Sequence, residues 1–287
     1  MATLMGTTSE RVVFWYGCNA VRHGDIIHSA IELLRAVGIE SQPAGGPAYC
    51  CGTSKDGNID AAAGMAARTV EKFNATGLDK VVTWCPSCHR HAGTFMSGVN
   101  TAKYEVSHIT SMLHARRHLL APLLTHAVER RVVLHTHSGF HEVDAYPLIA
   151  DLLRLVPGLE LIVTDYVAPG HMCSALAPIP AALKDVARRS VELCAANGSD
   201  TLVTAFHSCQ RLLCGLGTTD GVKVVNYVNL LVEAMGMTPP EDEYAAWKNA
   251  GSEAAIRDRI GDARIDKIGA DFFAKQMLPE LLKRPEK

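Results

Sequence analysis

The feature that most constrains the fold of this chain is an internal repeat with a spacing of about 120 residues. The segment DKVVTWCPSCHR at Asp79–Arg90 is echoed by DTLVTAFHSCQR at Asp200–Arg211, and RVVF at Arg11–Phe14 is echoed by RVVL at Arg131–Leu134. The matches are weak in identity but keep their order along both halves. A repeat of this length predicts two related α/β units that face each other about a pseudo-twofold axis.

Each half is predicted to alternate buried strands with amphipathic helices, because short apolar runs alternate with segments of helical spacing. The predicted elements of the first half are a strand at Arg11–Tyr16, a helix at Asp25–Val37, a strand at Ile39–Gln42, a loop at Pro43–Pro47, a helix at Ile59–Ala75 and a strand at Lys80–Trp84. Those of the second half are a strand at Arg131–Leu134, helices at Val143–Leu155 and Ala181–Ala195, and a strand at Leu159–Asp165, after which Asp200–Arg211 echoes the last strand of the first half and its loop. A strand and then a helix end each half, at Tyr104–Leu113 and Val222–Met237.

The expected fold class is α/β, with two tandem Rossmann-like units and a C-terminal helical extension. We place the domains at residues 1–122, 123–238 and 239–287, because the composition becomes charged after the Pro239-Pro240 pair while apolar residues keep a helical spacing. In an open α/β sheet the loops after the carboxyl ends of parallel strands share one edge. Motif residues in those loops are therefore expected to converge.

Five cysteines lie in three such loops of the first half, in the pattern Cys-x31-Cys-Cys-Gly-x32-Cys-x-x-Cys. They are Cys18, Cys50, Cys51, Cys85 and Cys88. One tetrahedral zinc ion has only four positions, and adjacent side chains tend to point apart. The set therefore favours a site with more than one metal, for which thiolates holding iron and sulfide are the first candidate. We interpret Cys194 and Cys214 as core residues.

The whole-chain composition excludes several other classes of protein. The odd number of cysteines, nine in 287 residues, argues against a disulfide scaffold. The hydrophobic content of 48% indicates a globular core, and the net charge of -2 gives no basic surface for nucleic acid. No apolar run predicts a membrane span, and the N-terminus has no secretory pattern. We expect a cytoplasmic protein.

The first-half motif resembles the cysteine-rich CCG domain of the B-type subunit of heterodisulfide reductase, a family that carries two such domains in tandem. The likeness covers nearly the whole chain. The resemblance implies that the five cysteines of the first half ligate one non-cubane 4Fe-4S cluster. It also implies disulfide reduction or its reverse. The implied partners are a flavin-containing A-type protein and a ferredoxin-like C-type subunit.

The second half departs from the family motif. Ser138, Met172, Ser174 and Phe206 stand where Cys18, Cys50, Gly52 and Cys85 stand in the first half. Only two of the five thiols remain, and two thiolates cannot hold a cluster of that type. We therefore predict a single cluster, in the first half.

Four residues of the degenerate loops remain chemically suggestive: His171, Cys173, His207 and Cys209. They are interpreted as a zinc site with mixed ligands, as a reactive thiol beside imidazoles that contacts the substrate sulfur, or as a decayed site that only packs. We take all four residues as candidates for a catalytic role.

Three further histidines, His135, His137 and His141, are candidate additional ligands, since alternate residues of a strand face the same side. Arg90 and Arg211 follow the two corresponding loops. They either meet an anionic substrate or are solvated surface residues.

The functional hypothesis is an iron-sulfur subunit of a heterodisulfide reductase-like complex. The loss of one cluster resembles the complexes of sulfur-oxidising organisms, with a disulfide, a persulfide or a protein-bound thiol as substrate. The alternative is a non-catalytic electron-transfer or scaffold subunit of a complex that oxidises lactate or glycolate.

Overall fold

Two parallel four-stranded sheets form the framework of the protein. The computed structural model describes residues 10–53, 57–99, 101–139 and 144–283. Counted along the chain, the first four strands form one sheet in the order 2-1-3-4, and the next four form the other in the order 6-5-7-8. Both orders are the same when counted from the start of each half, so the predicted pair of related α/β units is confirmed.

The elements of the first half alternate as the apolar pattern predicts. They are β1 (Glu10–Gly17), α1 (Gly24–Ala36), β2 (Ile39–Gly45), α2 (Ile59–Ala75), β3 (Lys80–Thr83), α3 (Pro86–His91), α4 (Ser97–Val99), β4 (Glu105–His108), α5 (Ile109–Ala115) and α6 (Arg117–Leu120). Short 3-10 turns lie at Ala20–Arg22, Pro47–Tyr49 and Ala121–Leu123, and a π-helical turn lies at Ala92–Met96.

The second half repeats this order, and a group of helices follows it. The elements are β5 (Arg130–His135), α7 (Ala145–Leu153), β6 (Leu159–Ile162), a 3-10 turn at Cys173–Leu176, α8 (Pro180–Ala196), β7 (Thr201–Thr204), α9 (His207–Leu213), α10 (Leu216–Asp220), β8 (Lys223–Asn226) and α11 (Tyr227–Ala234). The C-terminal helices are α12 (Glu243–Asn249), α13 (Glu253–Ile260), α14 (Asp262–Ile268), α15 (Ala270–Phe272) and α16 (Leu278–Leu282), with a π-helical turn at Phe273–Met277.

The register of the strands is the same in both sheets. Val13 pairs with Val81 between β1 and β3, and the corresponding Val133 pairs with Leu202 between β5 and β7. Because the strands of both sheets start and end in the same register, the loops that follow them lie at the corresponding edge of each sheet. Corresponding residues of the two halves therefore occupy equivalent positions.

Helices of the two halves pack against each other in symmetric pairs. Helix α1 packs on α11, and the corresponding helix α7 packs on α5. At this interface the ring of Trp84 stacks on Tyr227 with centroids 6.0 Å apart, and the Tyr227 hydroxyl lies 3.1 Å from Thr110 Oγ1. The predicted pseudo-twofold arrangement is thereby confirmed.

The structure extends one predicted strand into a predicted loop. Strand β2 continues to Gly45, and Pro43 lies in register with Phe14. Since β2 is at the edge of its sheet, the missing N–H of a proline is tolerated there.

The expected helical extension is confirmed, with Ile256 and Phe273 fully buried. The exact domain boundaries stay a prediction. Within the described residues, no helix has the length and apolar character needed to cross a membrane.

Candidate metal centre

The five cysteines of the first half converge at the carboxyl edge of the first sheet. Cys18 follows β1, the Cys50-Cys51 pair follows β2, and Cys85 and Cys88 flank the start of α3 after β3. Strands β1 and β3 are central neighbours whose connections lead to opposite sides of the sheet. This is the switch point of the topology, where open α/β sheets bind ligands.

The thiols form a connected and mostly buried group. The Sγ atoms of Cys51 and Cys88 lie 3.7 Å apart, in the protein interior. Cys18 interacts with Cys50, and Cys85 interacts with Cys88. Four of the five are buried, while Cys18 is partly exposed. The structure therefore brings together all five cysteines that the motif predicts, with Cys18 nearest to solvent.

Hydrogen bonds to the backbone hold the double-cysteine loop in place. Thr69 Oγ1 on α2 donates to the Cys50 carbonyl at 2.9 Å, and His91 Nδ1 donates to the Cys51 carbonyl at 2.7 Å. Thr53 Oγ1 lies 2.9 Å from Cys51 Sγ. These contacts fix the loop from two helices, which preorganises the thiols as ligands.

Two glycines allow the close approach of the loops. Gly17 has φ +85°, and a Cβ atom there would lie 3.2 Å from Cys85 Cβ and 3.3 Å from Cys88 Sγ. Gly52 has φ +94°, and its Cβ would lie 2.6 Å from the backbone oxygen of Ala62. A side chain at either position is opposed by both the backbone conformation and the available space.

The five neighbouring thiols can all be ionised only when cations are bound among them. A hydrogen bond with Cys50 and then burial raise the pKa of Cys18 well above its usual range, and a hydrogen bond with Cys50 first of all raises the pKa of Cys51 to about 11. Contact with Cys51 raises the pKa of Cys88, whereas contact with Cys88 lowers that of Cys85. Full ionisation of the set therefore requires positive charge, which metal ions supply. Five thiolates exceed the four positions of one tetrahedral ion, so the donor set fits an iron-sulfur cluster.

The corresponding edge of the second sheet carries a different group, composed of two imidazoles and two thiols. His135, His137, Cys173 and Cys209 are all buried, and one ligand atom from each lies within 4.8 Å of the others. The Nε2 atoms of His135 and His137 are 3.1 Å apart. Cys173 Sγ lies 3.4 Å from His135 Nε2 and 3.3 Å from His137 Nε2.

The tautomer and the charge of this second group are set by its neighbours. His137 Nδ1 donates to the Pro169 carbonyl at 3.0 Å, which leaves Nε2 available as a ligand atom. Burial lowers the pKa of His137, but its interactions with Cys209 and with the backbone of Pro169 and Gly170 together raise the pKa above the usual value. Burial raises the pKa of Cys173, and although burial acts on Cys209 too, contacts with Cys173 and His137 hold its pKa well below the usual range.

The other predicted histidines lie outside this four-residue group. His171 Nε2 is 3.0 Å from Ser87 Oγ in the cysteine loop of the first half, so it bridges the two motif loops. His207 is buried beside His23, and burial lowers its pKa to about 3. His141 lies outside the described residues. The catalytic roles of these residues stay a prediction.

The two arginines differ in their surroundings. Arg90 is exposed, as one of the two interpretations expects. Arg211 is largely buried, with 14% of its side chain exposed, and forms an ion pair with Glu280 of α16 at 3.3 Å. Contact of either arginine with an anionic substrate stays a prediction. Cys194 and Cys214 are buried core residues, as expected.

The sequence did not reveal the residues that support the two groups. Thr69 and His91 hold the cysteine loop, but a threonine and a histidine in helices carry no motif. Tyr146 on α7 is half-buried, and its hydroxyl lies in the interior near Cys209 and Cys173. Only the packing of α7 against the second sheet reveals that position.

Comparison with known proteins supports the assignment of the cysteine motif. Residues 12–92 match the CCG cysteine-rich domain family. The chain is 25% identical over 244 residues to the D-type subunit of the dihydromethanophenazine:CoB–CoM heterodisulfide reductase of Methanosarcina acetivorans, covering 79% of this chain and 59% of that protein. It is also 25% identical over 236 residues to an iron-sulfur protein of Methanococcus maripaludis, covering 77% of this chain and 46% of that protein.

The chain thus spans about half the length of the curated relatives it matches. Among solved structures, an aspartate racemase homologue from Pyrococcus horikoshii aligns over 79% of this chain and 99% of that chain, with 12% identity and a TM-score of 0.34. The predicted likeness to heterodisulfide reductase proteins is confirmed: the chain contains a CCG cysteine-rich domain and is related to an iron-sulfur protein and to a heterodisulfide reductase subunit.

Proposed function

We propose that the chain is the iron-sulfur subunit of a heterodisulfide reductase-like complex and holds one non-cubane 4Fe-4S cluster. The observation that carries this proposal is the convergence of five thiols at the switch point of the first sheet, with Cys51 and Cys88 Sγ 3.7 Å apart. When bound, such a cluster supplies electron transfer and a site for thiol chemistry. The chain orients the ligands through Thr69 and His91 and leaves Cys18 on the open side.

The test compares buried cysteines inside and outside the group. In anaerobically purified protein, Cys51→Ser is expected to remove most of the iron and sulfide and to change the electron paramagnetic resonance signal. Cys194→Ser is the matched control, because Cys194 is equally buried but lies in α8. Cys173→Ser is likewise expected to retain the iron. Equal loss of iron from all three variants would refute a single cluster in the first half.

For the second half we propose a tetrahedral zinc ion held by His135, His137, Cys173 and Cys209. Zn–N bonds of about 2.0–2.1 Å and Zn–S bonds of about 2.3 Å place tetrahedral nitrogens about 3.3 Å apart and nitrogen and sulfur about 3.5 Å apart. The observed separations are 3.1 Å between the two Nε2 atoms and 3.3 and 3.4 Å from Cys173 Sγ. The zinc site predicted from the sequence keeps its two cysteines, but His135 and His137 complete it.

Zinc analysis of single variants tests this ligand set. His137→Gln is expected to lower the zinc content severalfold while the iron content stays unchanged. His171→Gln is the control, because His171 lies nearby but binds Ser87. A zinc content that depends on His171 and not on His137 would contradict the proposal.

The competing proposal is a reactive thiol at Cys173 or Cys209, assisted by His171 and His207. It is supported by the position of His171, which reaches the cysteine loop of the first half. Alkylation of the folded, anaerobic protein separates the two proposals. Rapid labelling of either thiol with loss of turnover and retention of the cluster favours the reactive thiol. Protection that is lost only after zinc chelation favours the metal site.

We further propose disulfide or persulfide redox chemistry as the reaction, in a cytoplasmic complex with a flavin-containing A-type protein and a ferredoxin-like C-type subunit. The relationship to one of the subunits of a heterodisulfide reductase supports a multi-subunit redox enzyme. Co-purification of the tagged chain followed by thiol-disulfide assays of the complex tests this proposal. A complex that oxidises lactate or glycolate and shows no thiol activity would favour the alternative, an electron-transfer subunit.

A further inference from the structure

A third cluster of potential ligands lies where the two halves meet the C-terminal helices. His23 precedes α1 of the first half, Asp25 lies in the first turn of that helix, and Asp242 precedes α12. One ligand atom from each lies within 4.8 Å of the others. More than two hundred positions separate Asp25 from Asp242, so no short sequence motif contains the group.

The imidazole of His23 is buried beside the two carboxylates. Its exposed fraction is 0%, and among the described residues neither ring nitrogen finds a partner. Its Nδ1 lies 3.7 Å from Asp242 Oδ1, which is too long for a hydrogen bond. Buried polar side chains nearly always have a partner, so an imidazole with two unsatisfied nitrogens points to a missing ligand.

The two carboxylates bring negative charge into the same place. Asp25 is 1% exposed, and its Oδ2 accepts from Asn229 while its Oδ1 has no partner. Asp242 accepts from Gln210 Nε2 through Oδ2 and from the Ala245 N–H through Oδ1. Within the described residues, neither carboxylate forms an ion pair with lysine or arginine. The cationic group that faces them is the His23 imidazole, which carries charge only when it is protonated. Two largely buried carboxylates with so little compensation are costly, and a divalent ion compensates them directly.

Two further unsatisfied atoms belong to neighbours of this group. His207 Nδ1 lies on a ring near His23, and Asn229 Oδ1 lies on the amide that binds Asp25; both atoms are buried and have no partner among the described residues. A cavity of about 540 Å³ is lined by Asn229 and Asp242, so one side of the group borders on it. Ligand atoms on one ion are separated by about 3 Å, which the 3.7 Å between His23 and Asp242 approaches.

We propose that His23, Asp25 and Asp242 bind a divalent first-row transition-metal ion that ties the first half to the C-terminal helices. One imidazole nitrogen and two carboxylate oxygens suit Zn²⁺, Fe²⁺ or Mn²⁺, whereas Mg²⁺ and Ca²⁺ prefer oxygen ligands alone. The site is built from residues outside both cysteine groups. The inference therefore does not rest on the proposed function.

Mn²⁺ is the probe that isolates this site, because it disfavours the thiolate ligands of the other two groups. The full chain with its iron is titrated with Mn²⁺ and free Mn²⁺ is followed by electron paramagnetic resonance. We expect one Mn²⁺ to bind per chain and the unfolding temperature to rise with the Mn²⁺ concentration. Asp242→Asn and Asp25→Asn are expected to weaken binding at least tenfold, and asparagine still caps α12.

Glu241→Gln is the matched control, because it removes the same charge from the wall of the same cavity without touching the group. It is expected to bind Mn²⁺ as the unaltered protein does. Absence of Mn²⁺ binding and of any rise in unfolding temperature would overturn the proposal and indicate that buried water satisfies these atoms. Equal weakening by Glu241→Gln would also overturn it, since attraction by the acidic cavity would then explain the binding.

Discussion

Replacement of Gly52 by alanine is expected to damage the cysteine site through backbone geometry alone. A Cβ atom at this position would lie 2.6 Å from the Ala62 carbonyl oxygen. Ordinary contact is about 3.5 Å, so the loop has to retreat by on the order of 1 Å. Because metal–ligand distances tolerate only about 0.2 Å, such a shift of the adjacent Cys51 displaces its thiolate from the ligand position.

The expected loss of stability has two parts. A left-handed conformation costs an alanine about 1–2 kcal/mol, and an overpacked contact adds about 1–3 kcal/mol, for a total of about 2–5 kcal/mol. Gly77→Ala is the control, since Gly77 has φ +69° but its Cβ would meet nothing within 4 Å. Only the first part, about 1–2 kcal/mol, then applies.

The assay is anaerobic urea unfolding together with iron analysis of both variants. Gly52→Ala is expected to unfold at clearly lower urea and to retain much less iron than Gly77→Ala, whose iron content stays normal. If both variants lose the same stability and keep the same iron, the close approach to Ala62 does not matter and the reasoning fails.

Three further predictions concern the remainder of the framework. Burial lowers the pKa of His108 to about 3, against about 6.5 in the unfolded chain. The free energy of unfolding therefore falls as the pH drops from about 6.5 to about 3, by at most about 1.4 kcal/mol per pH unit. His108→Asn should flatten this part of a stability–pH curve, and an unchanged slope would contradict the prediction. Tyr227→Phe leaves Thr110 Oγ1 without its partner between the halves and should cost about 1–2 kcal/mol in thermal unfolding, whereas no change would show that the bond is dispensable. The hydrogen bond from Lys80 lowers the pKa of Glu10. Glu10→Gln should therefore lower the free energy of unfolding by about 0.2–1 kcal/mol at neutral pH and leave it unchanged in acid, where the carboxyl is protonated. High salt should abolish this difference between the two pH values.

Periodic features of the sequence predicted most of the fold. The spacing of apolar residues placed α2 at Ile59–Ala75, where the structure also has it. The repeat predicted two sheets with equal strand order, because strand and helix patterns depend on local spacing. The extension of β2 through Pro43 was not predictable, since proline is tolerated only where a strand lies at the edge of a sheet.

Some residues of the candidate sites were predictable from local sequence patterns, whereas others were identified only by the tertiary structure. The five-cysteine motif by itself predicted which thiols come together in the first half, because the cysteines follow strand ends that the sequence already marks. Only the tertiary structure decided that His135 and His137, rather than His171 and His207, join Cys173 and Cys209. It alone assembled His23, Asp25 and Asp242. Distances between side chains on different elements depend on how helices and sheets pack, and no local pattern in a single sequence encodes that packing.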